Sequence, residues 1–180
     1  MNISLSDGTS WRYSLTARAL HWILALLLAG MVAVGWYMMT IEHEPPGRQL
    51  IALHKSFGLI VFTLVVVRVL FRLSNRPPAL PASVPAWQRR LSAATQAVLY
   101  LLMLAIPLAG YVGASYSKSG VPFFGLMTPR WAALNHDLAE NLFDLHSTLV
   151  WVLVAAAALH VAGALKHWLI DKDGVFERMR

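Results

Sequence analysis

Four long apolar stretches restrict what this chain can fold into. They cover roughly residues 17–39, 50–73, 91–116 and 143–170, and each is long enough to cross a bilayer as an α-helix, which takes about 20 residues. Apolar residues make up 57% of the chain and charged residues only 13%, well below the charged share of soluble domains. We therefore predict an all-α fold, a four-helix transmembrane bundle that forms one integral-membrane domain over residues 1–180.

The distribution of basic residues predicts how the bundle lies in the membrane. The net charge is +6, and an even number of spans places both termini on one side. Most of the lysines and arginines fall on that side or in the loop between the second and third spans: Arg12, Arg18, Arg68, Arg72, Arg76, Arg89, Arg90, Lys166, Lys172, Arg178 and Arg180. The positive-inside rule then makes both termini cytoplasmic. It also explains the basic charge without a nucleic-acid partner.

The segments between the apolar stretches carry smaller predictions. Residues 42–47 indicate a compact outer turn, the proline-rich inner segment 76–85 is predicted to be extended, and the outer loop 117–141 is long enough to form a short cap. Residues 1–16 are a polar lead-in rather than the basic start of a signal peptide, so we expect the first span to be retained. The chain has no cysteine, which excludes disulfides, iron–sulfur clusters and thiolate ligation of haem.

Four histidines lie inside or at the ends of the apolar stretches. His146 and His160 share one predicted helix, where fourteen residues bring them to the same face about 21 Å apart, so that one lies near each membrane surface. The direction of each span puts His21 at the inner depth and His54 at the outer depth. Depth alone therefore pairs His21 with His160 and His54 with His146.

These pairs suit haem. Neutral imidazole is a common axial ligand of haem iron, and ionisable side chains inside a membrane are costly and mark function. We therefore predict two haem groups, an inner one on His21/His160 and an outer one on His54/His146. For any single histidine, a role in helix packing is the alternative. A tetrahedral zinc site fits less well, because the two pairs lie about 20 Å apart.

Several other residues are placed where haem binding would need them. Gly58 lies one turn after His54 and could let a porphyrin edge approach, although ordinary helix packing explains it equally well. Arg68 lies on the same face at the inner depth and could pair with a haem propionate, with a snorkelling interfacial arginine as the alternative. Arg18 and Arg72 are weaker candidates of the same kind.

Two further groups are candidates for contact with redox partners. His167 lies seven residues after His160, about 10 Å further inward, and with Lys166 it could protonate a quinone; an interfacial histidine without that role is the alternative. Four basic residues at the outer side could attract an anion such as superoxide: Arg48, Lys55, Lys118 and Arg130. Five acidic residues oppose this attraction: Glu42, Glu44, Asp137, Glu140 and Asp144. His43 and His136 fall in outer loops and are expected to be solvated.

Short motifs along the chain resemble the bacterial dihaem cytochrome b561 family, including its superoxide-oxidase-like branch. The resemblance runs from about Tyr13 to Arg178, and the order and spacing of its motifs are more specific than any one of them. The motifs are Ala19-Leu20-His21-Trp22, His54-Lys55-Ser56-Phe57-Gly58, Val67-Arg68-Val69-Leu70-Phe71-Arg72, Ile106-Pro107-Leu108-Ala109-Gly110, Phe124-Gly125-Leu126, His146, Leu159-His160 and Lys166-His167-Trp168.

The resemblance implies a four-helix protein of the bacterial cytoplasmic membrane with two b-type haems, whose ligands match His21, His54, His146 and His160. Such proteins pass electrons between ubiquinone or another quinone near the inner haem and a partner at the outer face, such as a periplasmic redox protein. One branch oxidises periplasmic superoxide. Ligation by two histidines leaves no coordination site open to oxygen. Family members often carry a fifth histidine in the third helix where this chain has Gln96, so a quinone or proton role assigned there does not carry over.

Two other functions stay open at this point. The chain could be a haem-bearing membrane-anchor subunit that relays electrons for a separate dehydrogenase or hydrogenase-like enzyme, and it would then co-purify with that enzyme. It could also be a haem sensor or carrier, which would lose haem easily and would not react with quinone. In all three cases the surrounding partner is membrane lipid.

Overall fold

The computed structural model describes residues 12–75, 77, 80 and 84–180. Four α-helices account for most of it, with a short antiparallel hairpin before the last: α1 (Leu15–Thr40), α2 (Pro45–Ser74), α3 (Ala86–Tyr116), β1 (Pro122–Phe123), β2 (Leu126–Met127) and α4 (His136–Lys166). The helix α4 continues into a π-helical turn over His167–Asp171, and a 3-10 turn follows over Phe176–Met179. Most of the polar lead-in and of the proline-rich inner segment, including Arg76, lies outside the described residues.

All four helices are long and apolar enough to cross a membrane, which confirms the predicted transmembrane bundle. Large apolar side chains stay exposed on the outward faces of the helices, among them Trp36 on α1, Leu101 on α3 and Trp151 on α4. An apolar surface of this extent suits contact with lipid rather than with water.

Local chemistry explains where the helices begin. The Ser14 hydroxyl accepts a hydrogen bond from the Ala17 amide at 3.3 Å, and Asn135 Oδ1 accepts one from the Leu138 amide at 3.0 Å. These side chains satisfy amides that have no partner inside the first turn. The helix α2 opens with two prolines, whose fixed φ and missing N–H suit that position.

Three helices begin earlier than predicted. The helix α3 begins at Ala86 rather than near residue 91. The helix α2 begins at Pro45 rather than near residue 50, so half of the predicted turn over residues 42–47 is helical. The helix α4 begins at His136 rather than near residue 143, because Asn135 caps it there. His136 is therefore helical, although its side chain stays 81% exposed as expected.

Two buried clusters join the helices in pairs. Leu24 of α1 packs against Val61 and Val65 of α2, and Ile106 of α3 packs with Leu153 of α4. These contacts bring α1 close to α2 and α3 close to α4. The helix α4 also contacts α1 and α2, through its two histidines.

The hairpin packs against the outer part of α2. Its turn residues Phe124 and Gly125 have φ values of 46° and 90°, and a two-residue type I′ turn requires positive φ at both positions. The Ser56 hydroxyl accepts from the Phe124 amide at 3.0 Å, and the rings of Phe57 and Phe124 meet edge to face with centroids 5.4 Å apart. The longest outer loop is thus fixed to the helix that carries His54.

Candidate functional site

The four intramembrane histidines lie in two pairs, in the combinations that depth predicts. His21 of α1 faces His160 of α4, with ring centroids 6.2 Å apart and ring planes at 71°. His54 of α2 faces His146 of α4, with centroids 6.2 Å apart and planes at 74°. The helix α4 thus supplies one ring to each pair, and the two pairs have nearly the same geometry.

The spacing within each pair suits one metal ion between the rings. A metal–imidazole nitrogen bond measures about 2.0–2.1 Å, so two imidazoles on opposite sides of one ion have centroids about 6.3 Å apart. A direct hydrogen bond between the rings would bring the centroids to about 5 Å. The observed 6.2 Å is compatible with the first arrangement and with an edge-to-face ring contact, and is too long for the second. A pair of imidazoles is a set of axial ligands that suits b-type haem iron.

The outer pair is oriented by the backbone. Nδ1 of His146 lies 2.8 Å from the carbonyl oxygen of Ile106. Because a carbonyl only accepts, Nδ1 carries the proton and Nε2 keeps its lone pair for a metal. Nδ1 of His54 is buried, with no hydrogen-bond partner in the part of the chain that the structure describes. A buried nitrogen without a partner is rare and marks this ring as a candidate for function.

Two glycines give the outer rings their space. A Cβ on Gly110 would lie 2.9 Å from Nδ1 of His146, and a Cβ on Gly35 would lie 3.2 Å from Cε1 of His54. Sequence reasoning missed Gly35, since its place opposite His54 depends on how α1 and α2 are rotated. A Cβ on Gly58 would instead meet the methyl end of Met31 at 3.9 Å, so a contact of Gly58 with haem stays a prediction.

The inner pair has a charged neighbour. The Arg68 guanidinium donates to Nδ1 of His21 at 3.2 Å and to the Ala17 carbonyl at 3.1 Å. The predicted inner arginine therefore lies beside the inner pair. Ligation through Nε2 of His21 requires the proton on Nδ1, and Arg68 would then have to turn towards another acceptor.

Such an acceptor could lie in an adjoining cavity of about 380 Å³, which the inner ends of α1, α2 and α3 line. The described residues around it include three arginines and no acidic side chain: Arg12, Arg68 and Arg72. Arg72 donates to Gln96 Oε1 at 3.1 Å and lies 6.0 Å from the centroid of the Tyr100 ring. This concentration of positive charge favours an anionic group such as a carboxylate.

Arg18, the other inner arginine candidate, contacts the end of the chain. Its guanidinium donates to the Arg180 carbonyl, and Nε1 of Trp22 donates to the Met179 carbonyl at 3.0 Å. These bonds fix the C-terminal segment to the start of α1. Among the described residues no hydrogen bond joins Arg18 to the inner histidines, so its contact with a propionate stays a prediction.

The quinone-side candidates form a polar cluster at the inner end of α4. Nδ1 of His167 lies 2.6 Å from Asp173 Oδ2 and 3.5 Å from Asp171 Oδ2. Lys166 Nζ lies 2.5 Å from Asp171 Oδ2. Sequence reasoning identified His167 and Lys166 but missed Asp173, because residues six positions apart do not face each other on a regular α-helix.

The basic candidates of the outer face have different roles in the structure. Lys55 Nζ donates to Ser119 Oγ at 2.7 Å and to the next residue's carbonyl at 3.0 Å. Arg130 donates to two backbone carbonyls in the loop after α3, at 3.2 and 3.1 Å. Both therefore hold the outer loop in place. Arg48 and Lys118 are exposed.

Comparison with known proteins identifies the family. The family model for prokaryotic cytochrome b561 matches residues 12–180. Cytochrome b561 homolog 2 of Escherichia coli (strain K12) is 33% identical over 179 residues, which cover 96% of this chain and 93% of that protein. The probable superoxide oxidase CybB of Yersinia pestis is 28% identical over 172 residues, covering 93% of this chain and 95% of that protein. The chain belongs to the prokaryotic cytochrome b561 family.

Proposed function

We propose that this cytochrome b561 carries two b-type haems, the inner one on His21 and His160 and the outer one on His54 and His146. Membership of the family makes the chain a multi-pass membrane protein that transfers electrons across the membrane with b-type haem. The proposal adds the number of haems, their ligands and the direction of transfer. The observation that carries it is the centroid distance of 6.2 Å in both pairs.

Each residue then has a defined task. When bound, the haem irons supply reversible one-electron oxidation and reduction. The four histidines occupy both axial positions at each site, and α4 keeps the two sites about 21 Å apart along its axis. Gly35 and Gly110 leave room for the outer rings. Arg68 and its neighbours in the inner cavity offer positive charge to the propionates of the inner group.

For the reaction, we propose that superoxide at the outer face is the donor and that ubiquinone or a similar quinone near His167 is the acceptor. Two superoxide ions each give up one electron and leave as dioxygen, and one quinone takes both electrons with two protons to become quinol. The similarity to a protein named as a probable superoxide oxidase supports this donor. So does Lys55, whose side chain brings a positive charge to the outer loop beside the helix of His54.

Haem content per chain is the direct test of the proposal. The purified protein should contain two haems, with a reduced-minus-oxidised spectrum of low-spin b type. Superoxide should then reduce decylubiquinone faster with the protein than without it. Loss of this acceleration in a variant that lacks one histidine pair would tie the reaction to the haems. One haem per chain or none would contradict the four-ligand arrangement.

The same proposal places the chain in the bacterial cytoplasmic membrane with both termini in the cytoplasm. Because the chain has no cysteine, single substitutions give a clean test in inverted and right-side-out vesicles. Ala133→Cys, in the outer loop, should react with an impermeant maleimide only from the periplasmic side. Lys172→Cys, after the π-helical turn, should react only from the cytoplasmic side. The opposite pattern would reverse the assignment.

A second candidate function is that of a haem-bearing anchor subunit for a separate dehydrogenase. The observation that favours it is the apolar outer surface of the hairpin region, where Leu126, Met127 and Trp131 are 75%, 60% and 56% exposed. Large exposed apolar side chains are typical of docking surfaces. Stable co-purification of a periplasmic enzyme, together with absence of superoxide-driven quinone reduction by the chain alone, would favour the anchor.

A further inference from the structure

The inner end of α4 departs from regular helix just after the quinone-side candidates. After Lys166 the chain makes a π-helical turn over His167–Asp171, and Lys172 then adopts a left-handed conformation with φ of 49°. Gly174 follows with φ of 78°. π-helical turns are rare and often lie at functional sites, and a left-handed non-glycine residue persists only where its surroundings hold it. The departure brings the Asp173 carboxylate to 2.6 Å from Nδ1 of His167.

Both oxygens of this carboxylate are fixed. Asp173 Oδ2 lies 2.6 Å from Nδ1 of His167, and Oδ1 accepts from the Val175 amide at 3.1 Å. The side chains of His167 and Asp173 are only 13% and 15% exposed. A carboxylate accepts the proton of Nδ1, so it holds the imidazole in one orientation and leaves Nε2 to face another partner.

The second carboxylate of the cluster has a different partner. Asp171 Oδ2 is 3.5 Å from His167 but 2.5 Å from the Lys166 ammonium. Asp171 is therefore paired mainly with a cation, whereas Asp173 is hydrogen-bonded to the imidazole. Asp171 still belongs to the cluster, so the control for Asp173 is Asp137, an exposed aspartate at the other end of α4.

A divalent cation is the other ligand that one histidine and two carboxylates could take. The contacts argue against it. With bonds of about 2.0–2.2 Å, two donors at adjacent corners of a metal lie close to 3 Å apart, whereas Nδ1 and Asp173 Oδ2 are 2.6 Å apart. The Lys166 ammonium also supplies the positive charge that Asp171 needs.

We propose that Asp173 is a positioning residue that directs Nε2 of His167 towards the quinone and stabilises the imidazolium that donates the proton. The proposal rests on the function proposed above, with quinone near His167. Each quinone takes two electrons and two protons. In each proton step the N–H bond at Nε2 breaks and an O–H bond forms on the quinone, and water at the inner surface returns the proton to the imidazole.

The test separates electron removal from proton delivery. Detergent-purified, haem-loaded protein is reduced with a stoichiometric amount of dithionite and mixed in a stopped-flow instrument with decylubiquinone or with ferricyanide. Ferricyanide takes one electron and no proton. Asp173→Asn should slow haem reoxidation by decylubiquinone about tenfold or more and leave the ferricyanide rate unchanged. Asp137→Asn should match the wild type with both oxidants, and Asp173→Glu should recover part of the lost rate.

Each other result has a defined meaning. A normal quinone rate for Asp173→Asn beside a slow rate for His167→Gln would overturn the role of Asp173 and keep the quinone site. Slowing by both oxidants would show a structural defect instead, and slowing by EDTA would show a metal site; either overturns the inference. If reduced wild-type protein does not react with decylubiquinone, the proposed function itself fails.

Discussion

The inner and outer histidine pairs have the same ring geometry and different surroundings. Their centroid distances are equal, and their interplanar angles differ by only a few degrees. The outer His146 is bonded to the backbone carbonyl of Ile106 and lies against Gly110. The inner His21 is bonded to the charged side chain of Arg68 beside an arginine-lined cavity. If both pairs bind haem as proposed, equivalent rings with unequal neighbours mean that the surroundings set the difference between the two sites.

The proposed electron transfer from the outer to the inner site makes a prediction about the two potentials. A positive charge beside a redox centre stabilises its reduced state, and Arg68 lies at the inner pair. At the outer pair, the hydrogen bond from Nδ1 of His146 makes that ring a stronger donor, which favours the oxidised state. We therefore expect the inner haem to have the higher potential, as an outer donor and an inner quinone require.

The largest expected effect comes from removing one ring of either pair. His160→Ala should lose the inner haem and His146→Ala the outer one, so that haem content falls from two to one per chain in each variant. His136→Ala is the matched control, because this histidine lies on the same helix and is exposed; it should keep both haems. Retention of both haems by His160→Ala would show that the pairing is wrong.

The next largest effect should be a loss of haem from the outer pair alone, caused by a change in how that pair is packed. Gly110→Ala places a methyl group 2.9 Å from Nδ1 of His146, so the ring must move away from Ile106. We expect the outer haem to be held about tenfold more weakly or worse, as is typical when a group that orients a ligand is lost, while the inner haem is unaffected. Transfer of haem to excess apomyoglobin measures this retention.

Two other glycine substitutions provide controls for the haem loss expected of Gly110→Ala. Gly35→Ala should have a smaller effect, since its Cβ would be 3.2 Å from His54. Gly163→Ala should have none, because among the described residues nothing beyond its chain neighbours and its own helix backbone lies within 4 Å of its Cβ. Equal haem loss from all three variants would mean that helix stability, and not space for the rings, determines retention.

The bundle and the pairing of the histidines could be predicted because both depend on depth alone. Apolar length identifies the spans, and the direction of each span gives the level of every residue in it. The fourteen-residue spacing of His146 and His160 then assigns one ring to each side. The pairs could therefore be predicted without knowing how each helix is rotated about its axis.

Apart from Arg68, the neighbours of the histidine rings could not be predicted, since they depend on helix rotation and on departures from regular helix. Gly58 shares a face with His54 on its own helix, but the glycine that meets this ring is Gly35 of α1. Asp173 reaches His167 only because a π-helical turn and the left-handed Lys172 lie between them. No short-range sequence pattern predicts either contact. The apolar pattern also predicts too late a start for α4, because the N-cap at Asn135 determines where that helix begins.

Arg68→Gln tests whether the charge of Arg68 raises the potential of the inner haem. At an effective dielectric constant of about 20, a unit charge about 7 Å away contributes roughly 2 kcal/mol, which for one electron is on the order of 100 mV. We expect the inner potential to fall by about half of this or more and the outer potential to stay unchanged. Arg68→Lys should preserve most of the potential, and Arg90→Gln, at an exposed position, should leave it intact. Redox titration followed by absorbance measures both potentials.

The smallest effect should come from the outer face, where charges nearly cancel. Four basic residues there oppose five acidic ones, so attraction of an anion depends on local placement and not on net charge. Lys55 is held by the loop at Ser119, whereas Lys118 is exposed on the same loop. We expect Lys55→Gln to lower the rate of haem reduction by superoxide about two- to threefold and to weaken its dependence on salt. Lys118→Gln should change the rate less, because an exposed charge is well screened. A larger loss in Lys118→Gln would mean that the approach of superoxide follows the loop surface and not the helix of His54.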